Sequence, residues 1–392
     1  MKKKRSIIIE NFVDTKLPTG LGNFQIHLTE LLKKNNEIYL ITQKKFPKHI
    51  NYIKIFLNKY FFLDKNSFKS KDGFLNYLNI PYLNILDKII SIFFFKTLKI
   101  YTDGIDFVHS GYLSSISYPN SKKIITIHDT IPFDFPNYAN YSRLKLYFLK
   151  KYHISSIKNC DLIFTVSNYS KKRIIKIFDT RPEKIFVTYQ SANKFPIFSK
   201  EEEGKILLQY SLLKENYYLY YGAFEPKKNI EYIIDGFLSS NSNHKLVLIF
   251  TKGWKNKRIF KKLSQIQESD RKKIILIHHM VRKQLGIIIK NTRSLIFPSL
   301  IEGFGLPIIE TLQFKRPVII SDIEIFKELF KQEAIFVNNK NYFSLSKKIN
   351  YLDNINNYKF ELNKIKNYKK FNDNFYLDKL NEGYDYCKNL IK

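Results

Sequence analysis

The sequence predicts an α/β fold of two domains, each built on a parallel sheet with crossover helices. Three observations carry that reading. Short apolar runs of β-type composition alternate with longer helical patterns along most of the chain, as parallel strands joined by helices require. More than eight such runs are too many for a single sheet of ordinary size. The length, 392 residues, makes two domains the expectation at about 100–200 residues each.

The elements follow in order. Residues 6–10 read as a strand, a glycine-containing loop comes next, then a helix over 24–34 and a second strand over 37–42. The rhythm returns with strands over 123–127, 162–166, 185–188, 217–221, 245–250, 274–277, 294–297 and 317–320. The polar run Lys200-Glu201-Glu202-Glu203-Gly204 has the composition of a domain junction, so the domains are placed at 1–198 and 199–370. The tail carries Leu377, Leu380, Tyr384, Cys387 and Ile391 at helical spacing, which predicts a docking helix over 371–392.

Composition excludes several classes. With 44% hydrophobic and 16% aromatic residues the chain can build large cores, which argues against disorder. Two cysteines, Cys160 and Cys387, are too few for a disulfide scaffold and suit a reducing cytoplasm. The start turns acidic at Glu10 after three apolar residues, too short for a secretory signal core. Uncharged apolar runs such as Ile89 to Phe95 fall far short of the ~20 residues a spanning helix needs. The net charge of +31 is mostly lysine spread along the whole length, with no arginine-rich tract or aromatic RNA-binding signature. Diffuse lysine suits an anionic membrane surface better than nucleic acid, or simply a solvated face. The stretch 83–99 sharpens the membrane expectation, because it sets Lys88, Lys96 and Lys99 around Ile89, Ile90, Ile92, Phe93, Phe94 and Phe95. The same pattern also fits an ordinary buried helix.

Chemistry concentrates in the segment Glu302-Gly303-Phe304-Gly305-Leu306-Pro307-Ile308-Ile309-Glu310. A strand ends near Pro298, and Pro307 stands where a first helical residue belongs. Between them, Gly303 and Gly305 let backbone approach a ligand, and the amides around Leu306 form an anion site at a helix N-terminus. Glu302 and Glu310 flank that site, and carboxylates there suit hydroxyl groups, as ribose and sugars offer.

This string resembles the signature of the retaining GT-B glycosyltransferases of family 4, group 1, and in particular bacterial mannosyltransferases of surface polysaccharide synthesis. The resemblance implies that Glu302, Phe304 and Gly305 touch the donor sugar, Leu306 the diphosphate and Glu310 the ribose. Gly222-Ala223-Phe224-Glu225-Pro226-Lys227-Lys228-Asn229 resembles the family's glycine-to-lysine loop, which implies that Lys228 neutralises the diphosphate, with Gly222 at the strand end. Many members carry an arginine after that glycine; this chain has Ala223, and Lys227 is the candidate substitute. Ile127-His128-Asp129 resembles the Ile-His-Asp stretch of mannosyltransferase-like members, which puts His128 near the sugar and leaves Asp129 to brace the loop. Gly20-Leu21-Gly22, after the first strand, resembles the glycine-rich loop beside the leaving diphosphate. The match runs from Gly20 to about Glu328 and is weakest over 50–100.

One position departs from the pattern. His278-His279-Met280-Val281 stands where the family has Gly-x-Val, whose backbone reads the nucleobase, so Val281 is carried over as a donor contact and His279 leaves the base open. Adjacent histidines also raise the possibility of metal, but strand neighbours point to opposite faces and no third ligand accompanies them.

The resemblance implies two Rossmann-like domains facing across a cleft, with the last helix returning to the N-terminal, acceptor-side domain. The implied activity is transfer of a hexose, most plausibly mannose from GDP-mannose, to a glycan or lipid-linked acceptor in lipopolysaccharide, O-antigen or capsule synthesis. No metal or other cofactor is expected, and the expected place is the cytoplasm or the inner face of the plasma membrane. A UDP-sugar donor, a sugar-nucleotide epimerase of the same fold and a catalytically inactive binding protein stay open. A Rossmann oxidoreductase lacks its fingerprint, because Gly20-Leu21-Gly22-Asn23-Phe24-Gln25 has no third glycine.

Overall fold

The computed structural model describes residues 4–11, 20–42, 62–63, 65–67, 69–71, 75–79, 83–94, 96–251 and 253–390. They form two compact units, Met1–Gln190 together with Asp373–Lys392, and Ser191–Asn372.

The first unit holds an eight-stranded sheet. In spatial order its strands are Ile185–Val187, Leu162–Thr165, Lys122–Thr126, Phe107–Ser110, Ser6–Asn11, Glu37–Thr42, Leu75–Asn79 and Lys69–Lys71. All pair in parallel except the last, which runs antiparallel to its neighbour. Chain order reverses between Ser6–Asn11 and Phe107–Ser110. The strands read as continuous apolar runs because both faces are covered. Ile7 and Ile9 enter one core and Ile8 the other, as the two-residue period of a strand requires. The helix Asp373–Asn389 adds Tyr376, Leu377, Leu380, Tyr384 and Cys387 to the Ile7–Ile9 side. Gly383 lets that helix lie close: a Cβ there would sit 2.6 Å from Phe164 Cε1.

The second unit holds six parallel strands in the order Ile274–His278, Lys245–Thr251, Tyr217–Ala223, Ser294–Phe297, Val318–Ser321 and Ile335–Val337. Numbered along the chain within this unit, that is a doubly wound order whose reversal lies between Tyr217–Ala223 and Ser294–Phe297. Tyr217, Tyr218 and Tyr220 are fully buried in the first of these strands, and their hydroxyls reach Ile288 O, Ile349 O and Ala223 O. Aromatic residues therefore fill the core while their polar ends stay bonded.

Several details differ from the sequence reading. The first helix runs Gly20–Lys33, so Gly20 and Gly22 belong to its first turn and not to a loop before it. Leu17, Pro18 and Thr19, just upstream, lie outside the described residues, as do Phe95 and Ile391. The polar run after Ser199 is a helix, Lys200–Gln209, because Ser199 and Glu202 form a reciprocal capping box that satisfies two amides at its start. Residues 191–199 group with the second unit. The strands Phe107–Ser110, Leu75–Asn79 and Ile335–Val337 were not foreseen, each being only three to five residues long.

Among the described residues, no helix is long and apolar enough to cross a membrane. The helix Leu83–Phe93 is amphipathic in an inverted sense. Its buried positions are Leu83, Asp87 and Ser91, and Asp87 accepts from the Ser115 amide at 2.9 Å and the Tyr152 hydroxyl at 2.7 Å. Its outward stripe is Ile85, Ile89 and Phe93, exposed by 48%, 43% and 60%. Phe94 follows, also exposed, and on the adjacent helix Arg143–Lys158 so are Leu144 and Tyr147.

Candidate functional site

In a doubly wound sheet, ligands bind beyond the carboxyl ends of the strands where chain order reverses. In the second unit two loops leave the sheet at that point. The strand Tyr217–Ala223 reaches Gly222 at φ +146°, then passes through the turn Pro226–Lys228 into the helix Ile230–Leu238. The strand Ser294–Phe297 continues past Glu302 to Gly305, whose φ of +109° opens the helix Leu306–Gln313. Gly305 is favoured in two ways: a side chain would resist that φ, and a Cβ would press Ile308 and Phe326 at 3.0 and 3.1 Å. The Leu300 amide donates to Lys227 O at 2.8 Å, which ties the two loops together.

Lys228 Nζ donates to Glu302 Oε1, and the same ammonium lies 4.7 Å from the Phe297 ring centre. Both side chains are nearly buried, 14% and 10% exposed. Burial pushes the Glu302 carboxyl up, but the charges of Lys228 and Lys227 outweigh it and hold the group below the usual carboxylate range. Glu302 is therefore an anion at neutral pH, with the Lys228 side chain fixed beside it. Lys227 lies 3.7 Å from Glu225. Phe304 turns its ring into the core against Phe371, 5.4 Å between centres, so only its backbone faces the loop.

One turn into the helix, Glu310 is buried and held at both oxygens. Arg282 Nη1 donates to Oε1 at 2.6 Å and the Tyr221 hydroxyl to Oε2 at 2.7 Å. Sequence reasoning missed both partners. In the sequence Tyr221 reads only as a strand residue before Gly222, and nothing in the spacing connects Arg282 with a glutamate 28 positions on. Val281, the N-cap of the helix Arg282–Asn291, is 55% exposed. His279 adopts φ +59°, the left-handed region that glycine enters without strain. The glycine usual at this place in the resembled family thus meets a conformational demand, which this chain meets with a histidine at a cost of roughly 1 kcal/mol.

His128, Gly20 and Gly22 belong to the first unit. His128 follows the strand Lys122–Thr126; its Nε2 lies 3.4 Å from Gly111 O, and its ring meets the Phe24 ring edge-on at 4.4 Å. Burial lowers the imidazole below its ordinary range, against the pull of Asp129, so the ring is neutral at pH 7. Asp129 accepts from the Ile131 amide at 3.0 Å and so braces the loop. Deeper in the sheet, His109 is fully buried between the Tyr384 hydroxyl at 2.7 Å and Thr126 Oγ1 at 2.9 Å. Among the described residues no three His, Cys, Asp or Glu side chains gather as metal ligands do.

The fold and this arrangement define a doubly wound domain whose loops offer a cation, helix-end amides and two anchored carboxylates. Residues 208–371, most of the second unit, match the model of the family described as Glycosyl transferases group 1. The chain is similar to the O-antigen chain mannosyltransferase RfbU of Salmonella typhimurium, 32% identical over 214 residues, which is 55% of this chain and 56% of that protein. It is 27% identical to O-antigen chain mannosyltransferase B of Escherichia coli over 231 residues, 57% of this chain and 59% of that one. The chain thus spans little more than half the length of these curated relatives in the matched regions. In fold it resembles a glycosyltransferase of Rickettsia africae, with a TM-score of 0.63 at 17% identity over 99% of this chain and 100% of the other. Its architecture is that of the GT-B glycosyltransferases.

Proposed function

We propose that the protein is a retaining hexosyltransferase that takes mannose from GDP-mannose and adds it to a glycan or lipid-linked acceptor in O-antigen, lipopolysaccharide or capsule synthesis. The observation that carries the reading is the pair of anchored carboxylates around the Gly305 helix start, with Lys228 beside the first. The mannose assignment leans on the two mannosyltransferase relatives.

In this reading Glu310 accepts ribose hydroxyls, the amides at Gly305 and Leu306 with Lys228 take the diphosphate, and Glu302 holds sugar hydroxyls. Gly222 and Val281 present backbone to the donor. Charge growing on the departing nucleotide is stabilised by fixed cations and dipoles, so the chemistry calls for no metal. The acceptor enters on the face that the nucleotide leaves, and its proton passes to a phosphate oxygen. Calorimetry with GDP-mannose, GDP and UDP-sugars tests the reading. One guanosine ligand should bind the wild type, and Glu310→Gln should weaken it about tenfold or more, because hydrogen bonds to a charged group are worth roughly 1.5–3 kcal/mol. Equal affinity in the variant removes Glu310 from the ribose.

We also propose that the protein works at the inner face of the plasma membrane, against anionic lipid. The stripe Ile85, Ile89 and Phe93 stands exposed over a polar buried face, with Lys88 on the same helix and Lys96 and Lys99 just beyond it, also exposed. In liposome flotation the protein should rise with phosphatidylglycerol vesicles at low salt, and Ile89→Asp with Phe93→Asp should leave it at the bottom. Equal recovery on phosphatidylcholine at high salt counts against electrostatic docking.

A further inference from the structure

We infer that Arg282 is the positioning residue that sets the Glu310 carboxylate for a ribose diol, an inference that rests on the ribose reading of Glu310 given above. A carboxylate offers about four acceptor directions, and a diol needs two of them in a fixed plane. One contact alone would leave the group free to turn. Here each oxygen has its own donor, Tyr221 on Oε2 at 2.7 Å and Arg282 on Oε1 at 2.6 Å, and two acceptor directions remain.

Arg282 is itself held on two further sides. Its Nη2 donates to Asn193 O, and its guanidinium carbon lies 3.7 Å from the centre of the Phe195 ring. Phe195 in turn packs against Gly286, one turn along the helix that Arg282 starts, and against Phe314, 5.2 Å between centres, just past the helix of Glu310. The segment that opens the second unit therefore acts as a buttress for the fork. Only a planar fork with separate donors can bridge Asn193 O and Glu310 while stacked on a ring; a lysine cannot.

The test is the ratio of affinities for GDP and 2′,3′-dideoxy-GDP, a readout that a merely structural role would not move. The wild type should prefer the ribose form by about tenfold or more. In Arg282→Met the ratio should fall to within about threefold while affinity for the dideoxy form is kept. Arg282→Lys retains the charge and should lose the ratio in the same way; it also serves if the methionine variant fails to fold. Either variant keeping the wild-type ratio, or losing both ligands in equal measure, overturns the inference. A wild type that ignores the missing hydroxyls instead overturns the ribose reading of Glu310 itself.

Discussion

Lys228→Ala should lower turnover about a hundredfold or more, since one fixed electrostatic group beside a developing charge is typically worth 10²–10³ in rate, or roughly 3–4 kcal/mol. Lys228 is placed for that task by the turn Pro226–Lys228 and by the Phe297 ring beneath its ammonium. The substitution also strands Glu302, whose carboxylate is nearly buried and takes a hydrogen bond from this lysine. Breaking a buried pair by removing one partner costs about 3–5 kcal/mol, so turnover has to be measured beside a thermal unfolding curve. Lys228→Ala with Glu302→Gln removes the stranded charge, and it should recover stability without recovering turnover. Activity of Lys228→Ala close to wild type, with the fold intact, would remove the lysine from the chemistry.

Acid should destabilise the first unit well before its carboxylates titrate. Burial pushes His109 down to about 3 and His153 down to about 4 from an ordinary 6.5. The sign follows from the folded values being the lower ones. The unfolded chain takes up both protons near pH 6.5 and the folded unit does not, so stability is complete above pH 6.5 and falls as pH drops. Each histidine removes about 1.4 kcal/mol per pH unit, or about 5 kcal/mol for the two by pH 4.5. His109 has a partner on each nitrogen, and His153 stacks on Phe178 and donates from Nδ1 to Leu149 O. Urea unfolding between pH 7.5 and 4.5 should show this slope, and His153→Phe should remove about half of it. A flat profile in the wild type would contradict the neutral burial of both rings.

How much of this could be read beforehand depended on the range of the interactions involved. The strands Glu37–Thr42 and Ser294–Phe297 stand where the apolar runs predict them, because burial on both faces leaves a local mark. Phe107–Ser110 leaves little: four residues, with the polar His109 among them, whose Nδ1 is met by Tyr384 from the far end of the chain. The helix after Ser199 had its signal in plain view, a serine followed three residues later by Glu202, but its charge reads as a linker. In the site, glycine and glutamate spacing marks Glu302, Gly305 and Glu310, since one loop and one helix start bring them together. The partners came from elsewhere in the chain. Lys228 stands 74 positions from Glu302, and Tyr221 stands 89 from Glu310. Only the parallel order of the sheet closes those distances, and no local pattern encodes it.

The proposed transfer from a nucleotide sugar, by charge stabilisation on one face, should proceed with retention and without metal. The most direct measurement is the anomeric configuration of the product by NMR, formed by the purified protein from GDP-mannose and acceptor in the presence of EDTA. Product should form in undiminished yield with the donor's own anomeric configuration. Product of inverted configuration would contradict it.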